Sequence, residues 1–208
     1  EEHRKACDNT MKKLIFSIII LFAAIGANAD GPNAGQSGAK FLKISAGAKP
    51  ASLGESYTAS GDDINSIYWN PAGISYVESK WASLSDNEWL ADVSVQNISY
   101  VHPSKSGVFA GSLMYLHMGE ITARDTSGDE TGRFTAYDAE LIFSFAGKLN
   151  GYVRGGINLK IFQEALEKEK ATGAAVDIGF ISDTNIDNFK IGFNVQNIGA
   201  GIKFIEEN

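Results

Sequence analysis

A two-residue alternation of apolar and polar side chains, carried by segments of about ten residues, constrains the fold of this chain most. In the segment 137–147, one face carries Leu141 and Phe145 and the other carries Asp138 and Glu140. Because successive side chains of a β-strand point to opposite faces, this period predicts strands rather than helices. The pattern recurs at about 80–86, 91–102, 107–118, 152–162, 173–181 and 189–198, and an eighth strand is predicted to begin at 201–205.

Two features of these segments favour a transmembrane β-barrel over a soluble β-sandwich, which also has alternating strands. The segments are longer than the five or six residues that are typical of strands. Their polar faces carry opposite charges on neighbouring strands, which suits a polar interior. The sequence therefore predicts an all-β, antiparallel transmembrane barrel, with the sandwich as the alternative. The polar residues predicted to face the lumen are Asp138, Glu140, Arg154, Asn158, Lys160, Asp177, Lys190 and Asn194.

The first thirty residues have the features of a targeting segment. A short basic start precedes an apolar run at 14–25, and an Ala-Asn-Ala sequence follows. Such a run is too short to cross a bilayer core of about 30 Å. We therefore predict a signal peptide at 11–29 that is cleaved after Ala29, and we expect the exported protein in the bacterial outer membrane. Residues 1–10 are interpreted as an upstream extension.

Charge and cysteine content argue against several classes of function. Removal of residues 1–29 takes four basic and three acidic side chains from totals of 18 and 25, which leaves a net charge of −8. An acidic protein does not suit nucleic acid, whose binding depends on neutralising phosphates. The single cysteine, Cys7, lies in the removed part, so the mature protein is expected to have no disulfide and no thiolate ligand.

The sequence offers little support for catalysis or metal binding. His102 and His117 are the histidines that follow the signal peptide, and neither has a ligand spacing or a partner for nucleophilic catalysis. Oxygen-bearing side chains at 125–130 faintly fit calcium, but the full ligand pattern is missing. We interpret 119–133 as a long polar loop, and 164–170 as a second charged loop. We predict that the protein is not an enzyme and needs no metal or cofactor.

Residues 30–79 are rich in small and polar side chains and are predicted to form an N-terminal hatch with one short helix. Asp62 is the predicted cap of this helix, and Ile64 and Ile67 share one of its faces. Proline disfavours helix at the residue before it, so the helix is expected to end where the next motif begins. This motif, which is predicted to turn the chain towards the first strand, is Asn70-Pro71-Ala72-Gly73.

Several segments of the hatch and of the strands together are similar to those of a known family. These segments are Gly38-Ala39-Lys40-Phe41-Leu42, 47–59, 61–73, Asn158-Leu159-Lys160, 175–179 and 192–199. They resemble the PorV/PorQ family, which belongs to the wider group of FadL-like outer-membrane barrels. The resemblance covers residues 37–208 and implies a barrel of fourteen strands with the hatch folded inside. Since residues 80–208 hold about seven strands, we expect an incomplete barrel that corresponds to the N-terminal half.

This resemblance implies two functions of different classes. The main prediction is transport of hydrophobic small molecules across the outer membrane, with the Asn-Pro-Ala-Gly motif helping to gate the path. A channel of this kind is expected to have an apolar pocket between the hatch and the wall. The alternative is a protein-binding component of type IX secretion that receives a secreted protein client. Outer-membrane lipid is an expected partner in both cases.

Overall fold

The computed structural model describes residues 39–44, 47–88, 92–167 and 169–199. The predicted upstream extension, signal peptide and eighth strand lie outside these residues. Within the described part, no helix has the length and apolar character needed to cross a membrane.

Residues 81–199 contribute to a single antiparallel sheet of seven strands, in which each strand pairs with the next along the chain. The predicted all-β, antiparallel class is confirmed. The sheet is open in the described residues, where the first and last strands each pair on one side only. The strands are β1 (Trp81–Glu88), β2 (Ser94–Ser104), β3 (Gly107–Arg124), β4 (Glu130–Lys148), β5 (Val153–Leu166), β6 (Glu169–Asp183) and β7 (Lys190–Gly199).

The exposure of the two faces of the sheet is the reverse of that in a water-soluble protein, because the apolar face is exposed and the polar face is buried. On one face large apolar side chains are exposed, and the exposed fraction is 77% for Leu84 and 52% for Phe143. On the other face Lys160 and Asp177 are completely buried. Because charged side chains are rarely buried without partners, the polar face must be covered by groups that satisfy it.

The prediction of a long polar loop at 119–133 is wrong. β3 and β4 continue through most of it as a hairpin, and only residues 125–129 lie between the two strands. The charges that suggested a loop instead link the strands, since Arg124 lies 2.8 Å from Glu130 in an exposed ion pair. The charged stretch at 164–170 likewise lies almost entirely in β5 and β6.

The described part of residues 39–79, here called the N-terminal segment, covers the polar face of the sheet. It is attached by apolar contacts in two places, one around Ile67 and Ile74 and one around Phe41 and Leu42. Its helices are a 3₁₀ helix (Lys40–Lys43), α1 (Ala48–Ser52), α2 (Ser66–Trp69) and a second 3₁₀ helix (Pro71–Tyr76).

The predicted short helix is α2, but it covers a single turn and is not capped by Asp62. The Asp62 carboxylate pairs with Lys49 instead. The neighbouring Asp63 shapes the preceding turn, because its Oδ1 accepts the backbone N–H of Asn65 at 2.9 Å. The helix does end before Pro71, as predicted.

Candidate functional site

The Asn-Pro-Ala-Gly motif lies directly against the backbone of the sheet. Gly156 of β5 and Gly179 of β6 are paired across the two strands. A Cβ atom on Gly156 would overlap the backbone of Pro71 and Ala72, and one on Gly179 would overlap the side chain of Asn70. Because glycine has no side chain, the motif can lie against the backbone of both strands at these positions, and any other residue would prevent this contact.

Asn70 connects the N-terminal segment to two strands. Its Oδ1 accepts the backbone N–H of Ala72 at 3.1 Å and so caps the second 3₁₀ helix. Its Nδ2 donates to the carbonyl oxygens of Thr58 at 2.7 Å, Phe180 at 3.2 Å and Phe193 at 3.4 Å. Since Asn70 is completely buried, these bonds replace the water that its amide would otherwise bind.

Replacement of Asn70 with alanine is expected to lower the free energy of unfolding by about 2 kcal/mol, because a helix cap and a buried amide donor are both lost. Urea unfolding of the protein in detergent would measure this change. Asn185, which is exposed in the turn before β7, is the matched control, and its alanine variant should match the wild type. Equal losses in the two variants would contradict the role given to Asn70.

Side-chain amides of the sheet satisfy the last carbonyl groups of α2. The carbonyl groups of a final helical turn have no partner within the helix. Each of three consecutive carbonyls accepts a hydrogen bond from an asparagine or glutamine of β5 or β7. The pairs are Asn158 with Ile67 at 2.8 Å, Gln196 with Tyr68 at 2.6 Å and Asn194 with Trp69 at 2.5 Å.

Lys160 lies at the centre of the buried polar face. Its Nζ is 3.0 Å from Asp177 Oδ2 and 3.5 Å from Glu140 Oε1, and it donates to Asn197 Oδ1 at 3.0 Å. Asp177 also accepts from Asn158 Nδ2 at 2.8 Å and from the backbone N–H of Asn197 at 2.7 Å. One ammonium group is therefore shared by two buried carboxylates, of which Asp177 is the better satisfied.

A second charged group surrounds Tyr76 in the N-terminal segment. Arg154 Cζ and Lys190 Nζ lie 3.7 and 3.8 Å from the centre of its ring, within the range of cation–π attraction. The Tyr76 hydroxyl donates to Asp183 Oδ1 at 2.6 Å. Burial, together with this hydrogen bond, raises the pKa of Tyr76 to about 12. The ring thus joins the start of β5 and β7 to the end of β6.

The eight polar residues predicted to line a lumen are not brought into one site. Four of them form a central group around Lys160, Asn194 donates a hydrogen bond to the end of α2, and two surround Tyr76. Asp138 lies apart from these groups, opposite Glu164 in the register of β4 and β5. Gln196, Gly156 and Gly179 were not among the predicted lumen residues, although all three share the polar face of their strands with residues that were. The residues of the central group are Glu140, Asn158, Lys160 and Asp177.

Lys49 joins α1 to the turn before α2, with its Nζ 2.9 Å from Asp63 Oδ2. Burial alone would raise the pKa of Asp63, but hydrogen bonds from Lys49 and from the backbone of Asn65 help to hold it below its ordinary value. The ionised carboxylate is therefore the form that this turn stabilises.

Acidification should weaken the attachment of this turn. Because the pKa of Asp63 is lower in the folded protein, its contribution to stability is complete above the unfolded pKa of about 3.9 and is lost as the pH falls through the folded value. The free energy of unfolding should differ between wild type and Asp63→Asn at neutral pH, and this difference should shrink below about pH 4. A difference that stays constant with pH would contradict this assignment.

A cavity of about 270 Å³ lies between the N-terminal segment and strands β1 to β4. Its lining is mixed, with Ile67 and Met114 beside Ser99, Ser112 and Glu140. It differs from the apolar pocket that is expected of a channel for hydrophobic molecules. Transport of such molecules therefore stays a prediction.

The acidic turn of the β3–β4 hairpin has a structural explanation in its own hydrogen bonds. Asp125 Oδ1 accepts the backbone N–H groups of Ser127 at 2.9 Å and Asp129 at 3.0 Å. Within the described residues, no three histidine, cysteine, aspartate or glutamate side chains are grouped as metal ligands.

These features define a class of all-β protein in which an antiparallel sheet exposes its apolar face and buries its polar face under an N-terminal segment. The sequence model of one family, described as type IX secretion system protein PorV, matches residues 28–208. The chain belongs to this family, which confirms the resemblance to PorV seen in the sequence. No curated protein matches the chain at a significant level.

Proposed function

We propose that the protein is an outer-membrane component of type IX secretion that binds an exported protein. The family match over residues 28–208 carries this proposal. It favours the secretion role over transport of hydrophobic small molecules, for which the mixed lining of the cavity gives no support.

The exposed face of the sheet supports a location in lipid. Apolar side chains are exposed along this face from β1 to β7, including Ile98, Phe109, Leu159, Phe180 and Phe193. A continuous apolar surface of this extent is unfavourable in water, and in membrane strands it contacts the hydrocarbon of the bilayer.

The β3–β4 hairpin is our candidate for contact with the exported protein. β2 begins opposite His117, and β5 ends opposite Ala136, so residues 119–135 extend beyond these ends of both neighbouring strands. Within this extension four acidic side chains outnumber two arginines. We therefore expect it to bind a basic region of the client.

Shortening this hairpin would test the proposal. In the full protein, residues 119–135 would be replaced by Asn-Gly, which favours a two-residue hairpin turn. We expect a normal amount of protein in the outer membrane but loss of co-purified exported proteins. The matched control replaces residues 184–189, in the turn between β6 and β7, with the same dipeptide.

Two results would contradict the proposal. Retention of the exported proteins by the shortened hairpin, at the level of the control, would exclude it as the contact. Recovery of the full protein without detergent, in a water-soluble fraction, would exclude the membrane location.

A further inference from the structure

The two faces of the β3–β4 hairpin change character in the extension at 119–135. Ala136 lies on the buried face of β4, and Phe134 continues this face two residues closer to the turn. Phe134 pairs with Ile121 across the hairpin, and both side chains are half-buried. The opposite face carries the exposed ion pair between Arg133 and Glu120, whose N and O atoms are 2.9 Å apart. The extension therefore has one apolar and one charged face, and their positions are the reverse of those in the rest of the sheet.

One backbone edge of the extension is open. Among the described residues, β5 pairs with β4 only as far as Ala136. The carbonyl oxygen of Thr135 still accepts a hydrogen bond on this side, from the backbone N–H of Glu167 at 3.4 Å. Successive residues of an antiparallel strand direct their backbone groups to opposite sides, so the N–H and C=O groups of Arg133 point to the same side as those of Thr135. They lie beyond the end of β5 and can pair with a strand from another chain.

The charge around this edge indicates what kind of segment fits it. Both arginines of the extension are already paired with glutamates of the same hairpin, so its excess negative charge lies on Asp125 and Asp129 of the turn. The neighbouring stretch 164–170 adds three glutamates against two lysines. Opposite charges across an interface favour association and exclude partners of like charge. A segment that brings basic side chains to the turn is therefore favoured over an acidic one.

We propose that an extended segment of the exported protein pairs with this edge of β4 as an additional antiparallel strand. Its backbone exchanges hydrogen bonds with Arg133, and apolar side chains at alternate positions pack on the face of Phe134 and Ile121. Because the added strand runs antiparallel to β4, its C-terminal end reaches the acidic turn, and its basic side chains lie there. The inference rests on the proposed function and adds to it the mode of binding and the composition of the bound segment.

A synthetic peptide tests this pairing on the full protein in detergent. The probe is Thr-Val-Thr-Val-Lys-Lys with a fluorescent label at its N-terminus, and fluorescence anisotropy measures its binding. We expect saturable binding that a version ending in Glu-Glu does not show. An N-methyl group on the second threonine, the residue expected opposite Arg133, removes a backbone donor but leaves every side chain in place. The affinity of this methylated peptide should be at least tenfold lower, about 1.4 kcal/mol.

Arg133→Pro tests the same contact from the side of the protein. Proline lacks the N–H group, and an edge strand tolerates it where this group points away from the sheet, so the pairing of β4 with β3 should persist. This variant should lose affinity for the peptide by a similar factor. Arg133→Ala also loses the charge and the ion pair with Glu120 but keeps the N–H, so it should bind at least as tightly as the wild type. Thermal unfolding in detergent would verify that both variants are folded.

Absence of saturable peptide binding to the wild type would overturn the inference, as would unchanged binding of the methylated peptide or by Arg133→Pro. A dimer of the full protein in native mass spectra that Arg133→Pro abolishes would assign the edge to a second copy of the chain and overturn it too. The proposed function fails by a different result, which is retention of the exported proteins by the shortened hairpin. If the shortened hairpin loses them while Arg133→Pro binds the peptide normally, the proposed function stands and the added strand does not.

Discussion

Replacement of Gly179 with alanine is expected to displace the Asn-Pro-Ala-Gly motif from the sheet. The new methyl group would overlap the side chain of Asn70, which is itself fixed by hydrogen bonds to Thr58 and Phe193. Overpacking together with loss of these bonds should lower the free energy of unfolding by about 3–4 kcal/mol. Urea unfolding would measure the loss, and limited proteolysis should cleave the N-terminal segment faster than in the wild type.

Gly111 supplies the matched control for this substitution. It is also a strand glycine, but a Cβ atom there would make an ordinary contact of 3.6 Å with the carbonyl oxygen of Ile142. The alanine variant at Gly111 should change stability by less than about 1 kcal/mol. Similar losses at both positions would show that the close approach at Gly179 is not the cause.

Replacement of Lys160 with methionine is expected to lower the free energy of unfolding by as much as the alanine substitution at Gly179, or by more. The aliphatic chain is retained, but Glu140 and Asp177 are left as two buried carboxylates without a cation. Removal of one partner from a buried ion pair typically costs about 3–5 kcal/mol. Thermal and urea unfolding at neutral pH would measure the loss.

A charge-balanced variant separates electrostatics from packing at this position. Lys160→Met combined with Glu140→Gln and Asp177→Asn removes all three charges and should recover most of the lost stability. Lys170→Met, at an exposed position of β6, should change stability little. Failure of the triple variant to recover stability would mean that the lysine acts through its shape rather than its charge.

The fold class could be predicted because alternation determines both the strands and their two faces. The ends of the strands could not be predicted, because charged residues such as Arg124 and Glu130 suit a loop and an exposed strand pair equally well. Only the pairing register reveals that they face each other. The same ambiguity explains why the stretch at 164–170 was expected to be a loop.

The candidate site was only partly predictable. The sequence indicated that Asn70 begins a distinctive motif and that Asn158 and Asn194 lie on a polar face. It did not indicate that these amides satisfy the end of α2, because their separation in the chain exceeds 90 residues. Gly179 could have been singled out as a glycine on that same face, but only the structure identifies what approaches it.

The amide contacts to α2 also have a consequence for the order of folding. Asn194 and Gln196 lie 125 and 128 residues after the carbonyls that they bind. Contacts between residues so distant in sequence form slowly, because a long loop must close before they stabilise anything. The N-terminal segment leaves the ribosome before β7, yet the end of α2 gains these partners only once β7 has joined the sheet. The part of the chain that is made early is thus among the last to become fixed.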